Sequence, residues 1–248
     1  MAVSAQNHDE VLVFALEPDE SAPASTTTPP PVVAEQIMSI PVASGSTMTF
    51  LDEHTLVLDN GLDGLEVWDV DEGEKLSTVT PTDVEEEDAG ARPSFVLARP
   101  GHPGQIGFTT PDLTVGILDL SDPSSPRLVS ALSALSDTPL SLAFSPDGSQ
   151  MAIAAVSHAR VHDVDPSGVV DPQGLQLSGP VSSHITDVQF LEDGTRLSAS
   201  TYSGKLWRWD LDPDRAAATL CTETGARLSI ADARALAPSL PEDAALCG

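Results

Sequence analysis

The chain has 248 residues, of which 40% are hydrophobic and 4% aromatic. It can therefore bury a sizeable core, which must rest on Val, Leu, Ile and Ala. Its 38 acidic residues against 11 Lys and Arg give a formal net charge of -27, which argues against nucleic acid or an anionic membrane as the main partner, because both require a basic face.

Two β-prone runs open the chain within residues 1–16, MAVSAQNHDEVLVFAL. They align with the second and third strands of a unit that repeats further along, and Phe14-Ala15 stands at the end of the third strand. We therefore predict a partial first blade at 1–16 that lacks an inner strand. Residues 17–34 are rich in Pro, Ser and Thr and predict a loop insertion.

Four segments of one type follow at a nearly fixed spacing. Each is predicted to form a strand, a tight turn and a second strand; Asp147-Gly148 and Asp193-Gly194 suit two of the turns. The apolar anchors of the segments are Phe50, Leu97, Phe144 and Phe190. They are separated by 47 (97 − 50), 47 (144 − 97) and 46 (190 − 144) residues, a spacing close to that of propeller blades.

A third strand follows in each unit and ends on an aspartate, at Asp69, Asp119, Asp163 and Asp210. Shorter β-prone stretches, KLSTVT, RLVSAL and LQLSGPV, then supply outer fourth strands. Four antiparallel strands per unit at this period indicate propeller blades. The sequence thus predicts an all-β fold with about four complete four-stranded blades over about 35–212, after the partial first blade.

The repeats LAFSPDGSQMAIA and RLSASTYSGKLWRWDL resemble the WD40 family, as do the dipeptides Trp68-Asp69 and Trp209-Asp210. The resemblance covers residues 1–212 and implies a WD40-type β-propeller that presents its rim to other proteins and needs no cofactor. Leu118 and His162 stand in the place of the family's tryptophan, and Ser203 in the place of its loop aspartate. The family's hydrogen-bonded set of side chains is therefore incomplete in every blade.

Residues 213–248 predict a short helical tail. Asp212-Pro213 is typical of a helix start, and Gly225 follows the end of that helix; Ser229 with Asp232 suggests a second helix. The tail LCTETGARLSIADARALAPSLPEDAALCG resembles the ends of WD40 arrays in bacterial STAND-type signalling ATPases. Cys221 and Cys247 lie in it; a disulfide between them and free thiols are both open.

The sequence offers no catalytic, cofactor-binding or metal-binding residues. It lacks a Gly-x-Ser-x-Gly elbow, a P-loop and a dinucleotide fingerprint. His158 and His162 are four residues apart; on a strand this puts them on one face, about 13 Å from each other, too far to share a metal. We therefore predict that the protein is not an enzyme.

The leading hypothesis is a non-catalytic protein–protein interaction module, the C-terminal part of a larger bacterial signalling or scaffold protein. Tyr202 and Trp207 are the candidate partner-binding residues on the rim, and the partner is unidentified. A lactonase-type propeller hydrolase is the alternative, but its metal site needs several acidic residues on the inner strands, where only Asp187 is ionisable; metal analysis would discriminate the two. A non-functional gene fragment is a third possibility. The chain has no apolar run near the ~20 residues of a membrane span and no basic, apolar leader, which favours the cytoplasm.

Overall fold

Five antiparallel sheets follow one another along the chain in the computed structural model, which describes residues 2–4, 10–18, 32–42, 47–60, 64–79, 95–110, 113–132, 137–178, 184–191 and 193–224. Sheet 1 contains β1 (Ala2–Ser4), β2 (Glu10–Pro18) and β3 (Val32–Pro41). Sheet 2 contains β4 (Met48–Phe50), β5 (Thr55–Asp59), β6 (Leu65–Asp69) and β7 (Glu74–Val79). Sheet 3 contains β8 (Phe95–Ala98), β9 (Gln105–Thr109), β10 (Val115–Asp119) and β11 (Arg127–Leu132). Sheet 4 contains β12 (Pro139–Phe144), β13 (Gln150–Ala155), β14 (His158–Asp163) and β15 (Leu175–Ser178). Sheet 5 contains β16 (Ile185–Phe190), β17 (Arg196–Thr201) and β18 (Leu206–Asp210).

The strand register repeats from sheet 2 to sheet 5. The last residue of each third strand is an aspartate that pairs with the first residue of the second strand: Asp69 with Thr55, Asp119 with Gln105, Asp163 with Gln150 and Asp210 with Arg196. The next residue always donates its backbone N–H to the residue that precedes the second strand, as Val70 does to His54 at 2.9 Å. The four predicted aspartates therefore occupy one structural position.

The anchor residue predicted for sheet 3 is wrong by one position. Phe50, Phe144 and Phe190 each end a first strand and pair with Leu56, Met151 and Leu197, whereas in sheet 3 the matching residue is Ala98, which pairs with Ile106. The spacings are therefore 48 (98 − 50), 46 (144 − 98) and 46 (190 − 144). Leu97, the more hydrophobic of the two neighbours, projects from the opposite face of its strand.

The boundaries predicted for the first blade also need correction. β2 extends to Pro18, and β3 begins at Val32, so both ends of the predicted 17–34 insertion are strand; residues 19–31 lie outside the described residues. The register pairs β3 with β2 along nine residue pairs, from Glu10–Pro41 to Pro18–Val32. Residues 35–41 therefore complete sheet 1 rather than begin the second blade.

Four apolar clusters hold the five sheets together, and each lies between two neighbours. Val11, Val13 and Ile40 of sheet 1 pack against Leu56 and Leu58 of sheet 2. Analogous clusters join sheets 2 and 3, sheets 3 and 4, and sheets 4 and 5. No such cluster joins sheet 5 to sheet 1 in the part of the chain that the structure describes. The sheets thus stack as a row of blades, as the repeat predicts.

The last sheet departs from the prediction of four complete blades. Sheets 2, 3 and 4 have four strands, but residues 184–191 and 193–224 supply three strands to sheet 5 and then the helix α1 (Pro213–Thr224). Asp212 is the N-cap of α1, because its Oδ1 accepts the backbone N–H groups of Asp214 (3.0 Å) and Arg215 (3.2 Å). This predicted helix is confirmed; the second, from Ser229, lies outside the described residues.

Candidate interaction surface

Two of the predicted aspartates shape the turns that follow their strands. Asp69 Oδ1 accepts the backbone N–H groups of Asp71 (2.9 Å) and Glu72 (3.0 Å). Asp119 Oδ1 accepts the backbone N–H (3.0 Å) and hydroxyl (2.6 Å) of Ser121, and its Oδ2 lies 3.0 Å from Arg127 Nη2. The pKa of Asp119 is lowered, chiefly by the hydrogen bond from the Ser121 hydroxyl. Asp69 and Asp119 thus each stabilise the turn that follows their own strand.

The other two predicted aspartates make fewer contacts of the same kind. Asp163 Oδ1 accepts a hydrogen bond from Gln150 Nε2 at 3.0 Å, across the hairpin. Asp210 Oδ1 accepts the backbone N–H of Asp212 at 3.1 Å, and its Oδ2 lies 3.6 Å from Arg215 Nε in α1. All four carboxylates thus act on turn or hairpin geometry rather than on a shared site.

Trp68 belongs to a hydrogen-bonded set that the sequence did not reveal. Its Nε1 donates to Glu66 Oε2 at 2.9 Å, and Glu66 Oε1 accepts from Asn60 (3.1 Å) and from Lys75 Nζ (3.0 Å). The Lys75 ammonium also lies 5.9 Å from the centre of the Trp68 ring. Burial opposes ionisation of Glu66, but the bonds from Asn60, Lys75 and Trp68 outweigh it and lower its pKa. Glu66 therefore centres a polar network that fixes the Trp68 ring.

His162 occupies the tryptophan position of sheet 4 and is 1% exposed. Its Nδ1 lies 2.8 Å from the carbonyl oxygen of Asp171; since a carbonyl only accepts, Nδ1 carries the proton. Its Nε2 is buried without a hydrogen-bond partner among the described residues. Burial therefore lowers the pKa of His162. The neutral ring is a packed core group, with Gly174 against it.

Arg99 is a buried cation that ties sheet 3 to sheet 4. It is 3% exposed and follows β8, at the position of Leu51 and Leu191 in other sheets. Its Nε donates to the carbonyl of Gly148 (2.8 Å) and its Nη2 to that of Asp165 (2.7 Å). Arg99 therefore bridges two turns of the next sheet. The sequence did not suggest this role, because only one blade has an arginine at this position.

The hairpin of β17 and β18 carries the most exposed aromatic side chains among the described residues. Tyr202, in the turn, is 87% exposed, and Trp207 is 36% exposed. Leu206 between them is 71% exposed. Trp207 and Trp209 share a face, because they pair with Ala199 and Leu197, but Trp209 packs against the cluster between sheets 4 and 5. Leu206 projects from the opposite face of β18 to Trp207. We call the two exposed aromatic residues of this hairpin, Tyr202 and Trp207, the aromatic patch.

A cavity of about 250 Å³ lies where sheets 4 and 5 meet. Its polar lining residues are Gln150, Asp163, Asp171 and Gln173, and its apolar lining comes from Val161, Gly174, Leu175 and Leu211. Gln150 and Gln173 already engage these carboxylates, through Asp163 Oδ1 (3.0 Å) and Asp171 Oδ1 (2.8 Å). Both carboxylates of the cavity wall thus already accept hydrogen bonds from neighbouring residues of the same wall.

In sheets 2 to 5 the first strand, which is the inner strand of a blade, has few ionisable side chains. Asp187 of β16, the one ionisable residue predicted there, accepts a hydrogen bond from the Ser141 hydroxyl of β12 at 2.5 Å. The described residues contain no group of three or more His, Cys, Asp or Glu side chains placed to hold a metal ion. Among the same residues, no helix has both the length and the apolar character needed to cross a membrane. Cys247 and the side chain of Cys221 lie outside what the structure describes.

Stacked antiparallel sheets with a repeated register, joined face to face by apolar clusters, define a β-propeller type of protein. Among solved structures, the crystal structure of Saccharomyces cerevisiae Sqt1 is similar to this chain, with a TM-score of 0.60 and 17% identity. Sqt1 is a WD40 β-propeller protein, so the similarity supports the predicted all-β fold of WD40 propeller type. The similarity covers 82% of this chain and 53% of the Sqt1 chain; this chain spans about half the length of that one. No family model and no curated protein matches the sequence.

Proposed function

We propose that this chain is a non-catalytic module for binding other proteins, within a larger signalling or scaffold protein. The observation that supports it most directly is the aromatic patch, which exposes Tyr202 and Trp207 on the hairpin of the last sheet. Tyr and Trp are enriched among the residues that dominate binding energy at protein interfaces. The WD40-type fold supports the proposal as an analogy, since one fold hosts many functions.

The acidic surface supports a protein partner that is neutral or basic at its contact site. The net charge of -27 creates a negative field that accelerates the approach of basic surfaces and slows that of acidic ones. Asp193, at the start of the β17 hairpin, has its pKa lowered, chiefly by the backbone N–H of Thr195, so it stays charged near neutral pH.

The experiment is affinity capture with the whole chain as bait, compared with the double variant Tyr202→Ser/Trp207→Ala. A genuine partner binds the wild-type chain and is at least tenfold depleted with the variant. Val169→Ser is the matched control, because Val169 is an exposed apolar residue (49%) in the loop between β14 and β15, outside the hairpin that carries the patch. Equal capture by all three chains, or none by the wild type, would contradict the proposal.

The resemblance of residues 220–248 to the tails of STAND-type proteins supports a finer proposal about the parent protein. In such a protein the blades would act as the sensor or autoinhibitory region of an upstream ATPase or effector domain. Removing the blades from the full-length protein should abolish activation by the partner. Unchanged activation without the blades would refute this part, whatever the result for the aromatic patch.

A further inference from the structure

The cavity between sheets 4 and 5 lies at the end of these sheets that carries the closing aspartates. Asp163 ends β14, and Leu211 directly follows Asp210, the last residue of β18; Asp163 and Leu211 both line the cavity. The turn that carries Tyr202 joins the other ends of β17 and β18, and neither Tyr202 nor Trp207 lines the cavity. The cavity is therefore a different place from the aromatic patch.

The cavity wall carries two carboxylates and no basic side chain. Asp163 and Asp171 are neighbours there, because the backbone N–H of Asp171 donates to the carbonyl oxygen of Asp163 at 2.8 Å. Each carboxylate accepts its side-chain hydrogen bond through Oδ1. Among the described residues, no Lys or Arg side chain forms an ion pair with either of them. The Oδ2 atoms of both carboxylates are therefore open to a donor from outside the chain.

In two other sheets the equivalent carboxylate binds an arginine of the chain itself. Asp119 Oδ2 of sheet 3 lies 3.0 Å from Arg127 Nη2, and Asp210 Oδ2 of sheet 5 lies 3.6 Å from Arg215 Nε. Sheet 4 has the equivalent aspartate without the arginine.

Strand register identifies the residue that replaces the arginine in sheet 4. Arg127 pairs directly with Asp119 across β10 and β11. The register of β14 and β15, which pairs Val161 with Leu175, places Gln173 opposite Asp163 when it is continued by two residues. Gln173 lines the cavity. The place that a guanidinium of the chain fills in sheet 3 is thus open in sheet 4.

The size and the lining of the cavity favour a single long, cationic side chain. Its volume of about 250 Å³ is below the range of about 300–1,000 Å³ that is usual for pockets of drug-sized molecules. Val161, Leu175 and Leu211 give it an apolar wall on which an aliphatic stem can lie. A guanidinium has five N–H donors in one plane and can reach both carboxylates, whereas an ammonium has three. A metal ion is disfavoured, because the described residues contain no group of three or more suitable ligands.

We propose that this cavity binds an arginine side chain of the protein partner. The guanidinium contacts the Oδ2 atoms of Asp163 and Asp171, and the stem lies against Val161, Leu175 and Leu211. Leu175 is 55% exposed, so this wall is accessible from solvent. The inference rests on the proposed protein-binding function and adds one chemical feature of the partner, an exposed arginine.

The test is an NMR titration of the full chain with a blocked pentapeptide that has arginine at its centre, flanked by glycine and serine. The side-chain amide groups of Gln150 and Gln173 report on the cavity. NaCl at about 0.15 M limits long-range attraction between the peptide and the acidic chain. We expect the arginine peptide to bind at least threefold more tightly than the same peptide with lysine, and at least tenfold more tightly than the one with glutamine.

Three variants each raise the net charge by one unit and differ in where they do so. Asp163→Asn removes a carboxylate of the cavity, and Gln173→Arg lets the chain fill the cavity as Arg127 does in sheet 3; each should weaken binding of the arginine peptide at least tenfold. Glu72→Gln, at an exposed turn residue of sheet 2, is the control and should bind like the wild type. Gln173 contacts Asp171 through its backbone N–H, which Gln173→Arg retains, so this variant decides the question if Asp163→Asn does not fold.

An absence of binding to the wild type, or equal binding to the wild type and Gln173→Arg, would overturn the site. Equal affinity for the arginine and lysine peptides would overturn the assignment to arginine. The double variant Tyr202→Ser/Trp207→Ala leaves the cavity intact and should bind the peptide normally; a loss there would place the peptide on the aromatic patch instead. The peptide titration thus tests the cavity, partner capture tests the patch, and the two proposals fail separately.

Discussion

Glu66 shows how a single carboxylate can hold a blade residue in place. It accepts three hydrogen bonds, from Trp68, Asn60 and Lys75. Glu66→Gln keeps the shape but places an N–H group against donors, so we expect it to lower the free energy of unfolding by about 2 kcal/mol. Urea denaturation measures the change. Glu72→Gln, at an exposed turn residue, is the control and should change stability by less than about 0.5 kcal/mol.

His162 makes stability depend on pH in the mildly acidic range. The folded pKa of His162 lies below 6.5, the usual value for histidine, because burial disfavours the charged ring. Well above pH 6.5 the ring is neutral in both states; as the pH falls through 6.5 the unfolded state takes up the proton first, so stability falls as the pH decreases. We expect His162→Leu, which copies Leu118 in sheet 3, to reduce the loss of stability between about pH 7.5 and about pH 5.5.

Urea denaturation of both chains at each pH is the measurement. A remaining slope is expected in the variant, since burial also lowers the pKa of His158 on the same strand. If the pH slope of His162→Leu equals that of the wild type, the buried neutral ring does not contribute to it.

At the scale of elements, the hairpin turns offer a matched pair of glycines. Gly148 and Gly204 have φ values of 68° and 75°, so alanine at either position must adopt the left-handed region, at about 1 kcal/mol. A Cβ at Gly204 meets open space, whereas one at Gly148 collides with the backbone carbonyl of Pro100 in sheet 3. Gly148→Ala should therefore cost roughly twice as much as Gly204→Ala or more. Equal losses of stability in thermal denaturation would show that the collision relaxes freely.

The repeat allowed most strands to be predicted, because turn chemistry and alternation act locally. The Asp-Gly turns and the closing aspartates lie where the sequence put them. The errors came from long-range pairing. β3 pairs with β2 across residues 19–31, and nothing local in VVAEQIMSIP shows which sheet it joins. Leu97 was predicted as the anchor because it is apolar, although strand register, not side-chain size, sets the equivalent position.

The side-chain networks were less predictable than the strands. His162 was predicted to stand at a tryptophan position, and the structure buries it there. Glu66 and Arg99 were missed, because each bonds to groups that only the fold brings close: Lys75 of the next strand, and the carbonyls of Gly148 and Asp165 in the next sheet. Each occurs in one blade only, so the repeat carried no signal for it.

For the whole molecule, the excess of negative charge is expected to make the melting temperature depend on salt concentration. With 38 acidic residues and 11 Lys and Arg, repulsion among like charges destabilises the compact state. Raising NaCl from about 0.05 M to about 1 M shortens the screening length to about 3 Å, so we expect the melting temperature to rise. Differential scanning calorimetry measures it. A melting temperature that falls with salt would mean that the ion pairs, such as Lys75 with Glu66, outweigh the repulsion.

Because each of the four apolar clusters joins two consecutive sheets, the cooperativity of unfolding depends on contacts between neighbouring sheets. Among the described residues an end sheet is held by one cluster and an inner sheet by two. Opening of sheet 1 or sheet 5 therefore breaks one such contact, whereas opening of sheet 3 breaks two. Amide protons in β9 and β10 should consequently exchange more slowly than those in β2 or β17. A protein that bound an end sheet would slow exchange in the sheets nearest to it first, and its presence could be followed by that gradient alone.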